Sequence, residues 1–426
     1  MSATPGLGRR LASFAGLPFL SLLAPFLFLP ILARVAGADA WLAIALGQSS
    51  GGFFALVVGL GYNTVGPVAV SIAPEAERTE LFSTSLRARL VVWLPSTLLA
   101  IALVALIAPP GYRLAAGLMA LALTLGGLSS SWYMIGLGKA GLIATYEIAP
   151  RIAATLLAAG LVLVTREVLW YPVLLIVGSI GSVTAFALRT TSFAELRRAR
   201  PGGIRASMLA NRSAVATEVA AGAYNSLAVT LIGAATSAAQ AAQYVSGDKL
   251  YRIGQYSVSA LGNALQGWVV ERGQAEFARR VRLSLLLHAV LGACGFFAFA
   301  LLGPWLSGWL FGEKVAIDET TALGLGTATI GIALGTAIGR VTLVALGARR
   351  EFLVSVLLAA SAGVPAILIL SSLFGAAGGA WGLAIGEFVS VTAQTISVVR
   401  RWRATGGTIN AFAVLPGSPG PIPPSS

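Results

Sequence analysis

The residues best suited to chemistry in this sequence are charged side chains inside long apolar stretches. A charge in membrane hydrocarbon is costly, so such residues are candidates for substrate binding or for coupling to an ion. They occur at eight positions: Glu147, Arg151, Glu218, Asp248, Lys249, Arg252, Arg340 and Glu387.

The densest group lies around Asp248. Asp248, Lys249 and Arg252 carry one net positive charge, and Gln255 follows within one helical turn. Arginine binds phosphate through a planar fork of donors, so basic groups beside amides suit an anionic, hydroxyl-rich substrate. A helix this polar must face a water-filled interior. The substrate-binding residues that we expect along this path are Arg252, Lys249, Asp248, Gln255, Arg151, Asn225 and Arg340.

The intramembrane acids allow a second kind of chemistry, which is coupling to a proton or a sodium ion. The candidates are Asp248, Glu147, Glu387 and Glu218. Two of these acids have a basic residue four positions later, Arg151 after Glu147 and Arg252 after Asp248. An i, i+4 spacing also permits a structural ion pair on one helix face. Both interpretations stay open from the sequence.

Several classes of protein are excluded by what the sequence lacks. Gly138-Lys139 is followed by Ala140, so it does not complete a phosphate-binding loop. One Cys and one His cannot form a zinc site. No loop is long enough for a catalytic domain. We expect no catalytic residues, no metal site, no cofactor and no enzymatic activity.

The elements that must position these residues are membrane-spanning helices. Apolar residues make up 57% of the 426 positions, charged residues 11%, and the mean hydropathy is +0.84. A bilayer core needs roughly 20 apolar residues per helix. The sequence therefore predicts an all-α polytopic membrane protein with about twelve transmembrane helices. The predicted spans are 11–35, 41–63, 90–108, 114–137, 141–164, 169–189, 214–237, 240–265, 283–311, 322–346, 352–373 and 377–399.

The basic residues between the spans predict the orientation. Alternate loops carry 21 and 4 of them, with Arg87 and Arg89 in the richer set. Basic loops stay in the cytoplasm, so both termini are expected there. Because the net charge of +13 resides in short clusters between apolar runs, it indicates membrane topology and not nucleic-acid binding.

A weak internal repeat divides the chain. An offset of 200 residues places Gly47-Gln48 over Gly247-Asp248, each in the second helix of its half. Repeats of this kind are typical of transporters. The predicted organisation is an N-terminal six-helix bundle at 1–189, a basic cytoplasmic linker at 190–213, a C-terminal six-helix bundle at 214–403 and a disordered cytoplasmic tail at 404–426.

These patterns resemble a known group. Four segments carry the resemblance: the turn 36–41 (Ala-Gly-Ala-Asp-Ala-Trp), the segment 59–63 (Gly-Leu-Gly-Tyr-Asn), the turn 136–139 (Gly-Leu-Gly-Lys) and the segment 242–249 (Ala-Gln-Tyr-Val-Ser-Gly-Asp-Lys). They are similar to the polysaccharide-flippase branch of the multidrug/oligosaccharidyl-lipid/polysaccharide (MOP) exporter superfamily. The resemblance implies a central, partly cationic cavity.

The resemblance also implies a function and partners. Such proteins move polyprenyl-diphosphate-linked oligosaccharides from the cytoplasmic to the outer leaflet by alternating access, for surface polysaccharide biosynthesis. The implied partners are the lipid-linked oligosaccharide, the bilayer, and a polysaccharide polymerase and glycosyltransferases, with no nucleic acid. Two alternatives stay open: a cation-coupled multidrug antiporter of the same superfamily, and a non-transporting scaffold of a polysaccharide assembly complex.

Overall fold

The computed structural model describes residues 7–192, 201–271 and 274–404. Within these ranges the chain is built from helices and turns and contains no strand. The predicted all-α class is confirmed.

The first part of the chain forms eight α-helices. They are α1 (Leu7–Gly59), α2 (Tyr62–Ile72), α3 (Glu75–Ile107), α4 (Arg113–Thr124), α5 (Ser131–Gly136), α6 (Ala140–Ile143), α7 (Ala149–Thr165) and α8 (Trp170–Thr190). A π-helical segment, Ala144–Ile148, joins α6 to α7.

The described residues of the second part form seven more. They are α9 (Pro201–Ala210), α10 (Arg212–Asn225), α11 (Ala228–Ala235), α12 (Ala238–Val270), α13 (Gln274–Phe311), α14 (Glu319–Gly335) and α15 (Arg349–Ala404). A second π-helical segment, Thr336–Leu343, continues α14.

Each of the twelve predicted apolar stretches falls on helix. Eight helical spans among the described residues are long and apolar enough to cross a membrane, and α10 with α11, bent by 44°, makes a ninth. Two long helices each contain a break, α1 at Gly37 and α15 at Gly375, so each supplies two of the predicted stretches. The remaining stretch is α12, which contains too many polar residues to count among these apolar spans.

The two breaks require glycine. Gly37 has φ 82° and Gly375 has φ 60°, a region that side chains with a Cβ rarely occupy. The predicted turn 36–41 therefore forms at its glycine. The Arg401–Glu351 ion pair joins the two ends of α15, which shows that the chain reverses direction at Gly375.

Two predicted loop segments are helical instead. Helix α3 begins at Glu75 and not near 90, because its charged first turns extend the apolar stretch along one helix. The predicted linker 190–213 contains α9, and proline is well tolerated at a helix start. Residues 193–200 of that linker and 405–426 of the predicted tail lie outside the described residues.

Arg89, predicted in a cytoplasmic loop, is buried within α3 with 1% of its surface exposed. Its Nη1 donates to the carbonyl oxygens of Ser129 at 2.6 Å and Gly127 at 3.2 Å. Its guanidinium lies 5.6 Å from the ring centroid of Trp132. Arg89 thus ties α3 to the turn before α5.

The largest buried cluster joins the two parts of the chain. Trp41 of α1 donates to Ser246 Oγ of α12 at 3.3 Å and stacks on Phe311 of α13 with ring centroids 5.2 Å apart. Arg34 donates to the carbonyl oxygen of Leu310 at 3.2 Å. These contacts lie at the end of the molecule where α1 breaks, which we call the Gly37 end. They hold α1 against α12 and α13, and so fix the two walls of the site below.

Candidate functional site

A cavity of about 490 Å³ lies between the two parts of the chain. Helices α1, α4, α7 and α8 form one wall, and the segment after α10, with α11 and α12, forms the other. Its charged lining residues are Arg151, Asp248, Lys249 and Arg252. All four are among the predicted site residues, and together they leave two net positive charges on the lining.

The charges of α12 pair only in part. Arg252 Nε donates to Asp248 Oδ2 at 2.9 Å, so the predicted i, i+4 ion pair forms. Asp248 is 2% exposed and Arg252 is 30% exposed. Lys249 Nζ lies 3.9 Å from the same carboxylate oxygen. One carboxylate thus faces two cations, and part of the Arg252 side chain remains exposed at the cavity.

Lys249 also reaches across the cavity to α1. Its Nζ donates to Gln48 Oε1 at 2.8 Å, and Gln48 Nε2 donates to Tyr171 Oη of α8 at 3.4 Å. The repeat offset pairs Gln48 with Asp248, the neighbour of Lys249 in sequence. Gln48 and Asp248, which the predicted repeat aligns, both line the cavity. A polar chain links α12 to α8 through α1.

Arg151 enters the cavity from α7. In the part of the chain that the structure describes, no carboxylate oxygen lies within 4.0 Å of its guanidinium. The alternative pairing with Glu147 does not form. Glu147 turns away and accepts hydrogen bonds from Ser129 Oγ at 2.7 Å, Ser130 N at 2.9 Å and Ser131 Oγ at 2.6 Å. Arg151 is thus available to a ligand, while Glu147 is fully engaged.

The position of Glu147 follows from the π-helical segment Ala144–Ile148. A π-helical turn shifts the register of the side chains around it, and such turns are frequent at functional sites. Here Glu147 faces the turn before α5, whereas Arg151, four residues later, lines the cavity. Both side chains line a smaller cavity of about 40 Å³, but no ion pair forms between them.

Asn225 and Gln255 lie beside the cavity and support Arg252. Gln255 Nε2 donates to Asn225 Oδ1 at 3.0 Å, and Arg252 Nη2 donates to the carbonyl oxygen of Asn225 at 3.4 Å. These bonds tie α12 to the end of α10. Neither residue is part of the cavity lining, so their contacts indicate a role in orienting Arg252.

The three other predicted residues lie elsewhere. Arg340, in the segment Thr336–Leu343, donates from Nη2 to Asn263 Oδ1 at 2.7 Å. Glu387 is 4% exposed in α15 and packs against Gly331 of α14. Glu218 accepts a hydrogen bond from Thr64 Oγ1 at 2.5 Å. None of the three lines the cavity.

The Thr64–Glu218 bond marks the opposite end of the molecule, which we call the Glu218 end. There Asn211 Nδ2 donates to the carbonyl oxygen of Leu60 at 3.2 Å. Nearer the cavity, Ser49 Oγ donates to the carbonyl oxygen of Ser226 at 2.6 Å. The two parts of the chain therefore touch at both ends of the cavity. A few polar contacts join them at the Glu218 end, and a large apolar cluster joins them at the Gly37 end.

Sequence reasoning did not select Gln48, Ser49 or Tyr171 as site residues. Gln48 could have been found, because the repeat offset pairs it with Asp248. Ser49 and Tyr171 carry no charge and stand in no motif, so only the packing of α1 and α8 reveals them.

No protein-family model matches the sequence, and no curated protein matches it significantly. Solved structures do share the fold. An inward-facing multidrug resistance MATE-family transporter of the MOP superfamily is 14% identical with a TM-score of 0.66, over 94% of this chain and 99% of that one. The lipid II flippase MurJ, in an inward closed conformation, is 11% identical with a TM-score of 0.71, over 91% of this chain and 87% of that one. The eukaryotic MATE transporter AtDTX14 is 17% identical with a TM-score of 0.61, over 92% of this chain and 95% of that one. The chain therefore has the all-helical fold of these MOP-superfamily and MATE proteins.

Proposed function

We propose that this protein is a transporter of the MOP superfamily that moves a polyprenyl-diphosphate-linked oligosaccharide across a bacterial plasma membrane for surface polysaccharide biosynthesis. Transport runs from the cytoplasmic to the outer leaflet, with both termini in the cytoplasm. The observation that carries the proposal is the cavity lined by Arg151, Lys249 and Arg252 against the single acid Asp248.

The charge of the cavity suits a diphosphate head group. Arg151 has no ionic partner among the described residues, and Arg252 shares the carboxylate of Asp248 with Lys249. Guanidinium groups bind phosphate oxygens through paired donors. Gln48 and Ser179 supply hydrogen-bonding groups for sugar hydroxyls on the same lining.

The membrane potential favours this direction of transport. Moving one negative charge outward across an inside-negative membrane releases about 2.3 kcal/mol per 100 mV. A diphosphate carries more than one such charge, so the potential alone assists export. Coupling to a proton or a sodium ion would add to it, and Glu218 and Glu387 are the acids that we propose for that step. Glu147 is a poorer candidate because three hydrogen bonds engage its carboxylate.

Alternating access requires contacts that break at one end while they form at the other. We propose that the bundles 1–189 and 214–403 rock about the cavity. Opening toward the cytoplasm breaks the few polar contacts at the Glu218 end, such as Thr64–Glu218. Opening outward separates Trp41 from Phe311 at the Gly37 end.

The MATE-family neighbours raise a second candidate, a cation-coupled multidrug antiporter. An organic cation requires an acidic or aromatic lining, whereas this cavity has two net positive charges. A scaffold without transport activity does not require a cavity arginine such as Arg151, which has no carboxylate partner among the described residues. The cavity charge thus favours the anionic lipid-linked substrate over both.

The test is reconstitution into vesicles with a fluorescent undecaprenyl-diphosphate-linked disaccharide as the probe. Movement is measured as the loss of probe fluorescence when the probe reaches the outer leaflet, where an added reductant has access to it. The wild-type protein accelerates movement, and Arg151→Ala and Arg252→Ala remove most of that effect. Arg166→Ala, at the end of α7 and outside the cavity lining, is the matched control and retains full activity.

Two results would overturn the proposal. One is movement of the probe at the protein-free rate in the wild-type vesicles. The other is proton-driven efflux of ethidium by the same vesicles with no movement of the lipid probe, which favours the multidrug antiporter.

A further inference from the structure

A second, separate cavity lies on the C-terminal helices. It is a groove of about 420 Å³ between α13, the segment Thr336–Leu343 and the last turns of α15. Its lining is almost entirely apolar, and it shares no residue with the central cavity. We define it as the α13–α15 groove. Its principal lining residues are Val281, Arg282, Leu285, Ile338, Val399 and Trp402.

The groove behaves as an apolar surface despite two threonines in its lining. Thr342 Oγ1 donates to the carbonyl oxygen of Ala337 at 2.8 Å, and Thr395 Oγ1 donates to that of Val391 at 2.7 Å. Both hydroxyl groups are therefore satisfied by their own helices. Apart from Arg282, the groove therefore offers a ligand hydrocarbon contacts along its length.

Its size matches one chain of a lipid within one leaflet. The lining runs from Thr395 to Trp402 along α15, which is roughly 10 Å at 1.5 Å per residue. One half of the bilayer hydrocarbon is about 15 Å thick. Trp402 is 45% exposed near the end of α15, and an amphipathic ring there is typical of the membrane–water interface.

The charge around the groove is strongly positive. Arg282 is a lining residue, and its Nε makes only a long bond, 3.4 Å, to the carbonyl oxygen of Ala278. In the described part of the chain no carboxylate oxygen lies within 4.0 Å of its guanidinium.

The neighbouring helix ends add to this charge. The arginines at these ends are Arg279, Arg280, Arg349, Arg350, Arg400, Arg401 and Arg403, against the acids Glu271, Glu276 and Glu351. All three acids are paired with arginines: Glu271 and Glu276 with Arg280, and Glu351 with Arg401. The surplus of positive charge is complementary to an anionic head group.

We propose that the α13–α15 groove binds one acyl chain of an anionic glycerophospholipid, and that Arg282 binds its phosphate. An apolar groove in one leaflet, with a guanidinium in its lining that has no carboxylate partner among the described residues, fits a lipid that has both a hydrocarbon chain and a negative head. A free phosphate would leave the groove empty, and a zwitterionic lipid would gain little from the surrounding arginines. The site is independent of the central cavity and of the transported substrate.

The test is lipid binding to the purified full-length protein, measured by native mass spectrometry during titration with phosphatidylglycerol or phosphatidylcholine. Phosphatidylglycerol should bind more tightly than phosphatidylcholine. Arg282→Ala should weaken phosphatidylglycerol binding about fivefold, which corresponds to about 1 kcal/mol for one basic residue near the membrane surface. The affinity for phosphatidylcholine should fall less, because its choline cation offsets the charge of the phosphate.

Two further variants separate the groove from general surface charge. Val399→Trp fills the groove at a position that is 37% exposed, and should weaken the binding of both lipids. Arg279→Ala removes a cation that is 73% exposed, lies outside the lining and is already paired with Glu276, so its effect should be below twofold. Each variant is first checked for a monodisperse elution profile, and Arg282→Gln replaces Arg282→Ala if the latter aggregates.

Three results would overturn the proposal. Equal affinity for the two lipids would remove the role of charge. Unchanged phosphatidylglycerol binding in both Arg282→Ala and Val399→Trp would place the lipid elsewhere. Displacement of phosphatidylglycerol by inorganic phosphate alone would show that the groove does not contribute.

Discussion

Replacement of Glu147 tests whether this acid is structural or takes part in coupling. Its carboxylate accepts three hydrogen bonds from the turn at Ser129, Ser130 and Ser131, and Arg89 holds the opposite side of the same turn. A hydrogen bond to a charged group contributes about 1.5–3 kcal/mol. Because Glu147 is only half-buried and such contributions are not additive, we expect Glu147→Ala to cost about 3–5 kcal/mol.

The expected loss is measurable as a lower melting temperature. At about 2 °C per kcal/mol for a large domain, Glu147→Ala should lower Tm by roughly 6–10 °C. The assay is the loss of the monodisperse peak in size-exclusion chromatography after heating in detergent. Glu80→Ala is the matched control, since Glu80 is an exposed acid on α3 and surface substitutions usually change stability by about 0.5 kcal/mol or less.

Glu147→Gln separates the two roles. The neutral amide keeps one acceptor oxygen, so it should recover part of the stability and, with a structural role, transport of the lipid probe at the permissive temperature. A Glu147→Ala protein as stable as the wild type would refute the hydrogen-bond reasoning. A Glu147→Gln protein with wild-type stability and no transport would assign the acid to ion coupling.

Three other substitutions test the polar chain, a break and the Glu218 end. Lys249→Met removes a cation and its bond to Gln48; we expect weaker binding of the diphosphate probe, seen as a KM at least tenfold higher, and an unchanged KM would exclude Lys249 from the site. Gly375→Ala places a Cβ at φ 60° and should cost about 1 kcal/mol or more in a thermal unfolding assay; equal stability would contradict the strain argument. Thr64→Val and Glu218→Ala each remove one partner of the hydrogen bond at the Glu218 end, so their effects on the free energy of unfolding should be non-additive by at least about 0.5 kcal/mol. Additive effects would show that the bond contributes nothing to stability.

Much of the fold is predictable because hydrocarbon imposes a simple rule. A backbone in lipid must satisfy its own hydrogen bonds, so apolar stretches of about 20 residues become helices. Each predicted stretch accordingly falls on helix, and the turn at 36–41 forms where Gly37 permits it. The predicted apolar stretch 90–108 falls on α3, but the helix itself begins at Glu75. Its first turns are charged, so hydropathy does not detect them.

Part of the site is predictable for the same reason. The cost of a charge in lipid directs attention to Arg151, Asp248, Lys249 and Arg252, and the structure places all four around one cavity. The ion pair between Asp248 and Arg252 follows from their spacing on a regular helix. These are local consequences of the composition and helical periodicity.

The partners of the remaining charges depend on contacts between distant segments. Glu147 and Arg151 have the same spacing as Asp248 and Arg252. Glu147, however, lies in a π-helical segment and accepts a hydrogen bond from Ser130 N, and Arg151 has no carboxylate partner among the described residues. The hydrogen bond from Lys249 to Gln48 joins residues about 200 positions apart. The sequence by itself determined which residues are held within the membrane, because that depends on transfer of each side chain from water. Only the tertiary structure decided which of them face the cavity and which are already paired, because that depends on how the helices pack.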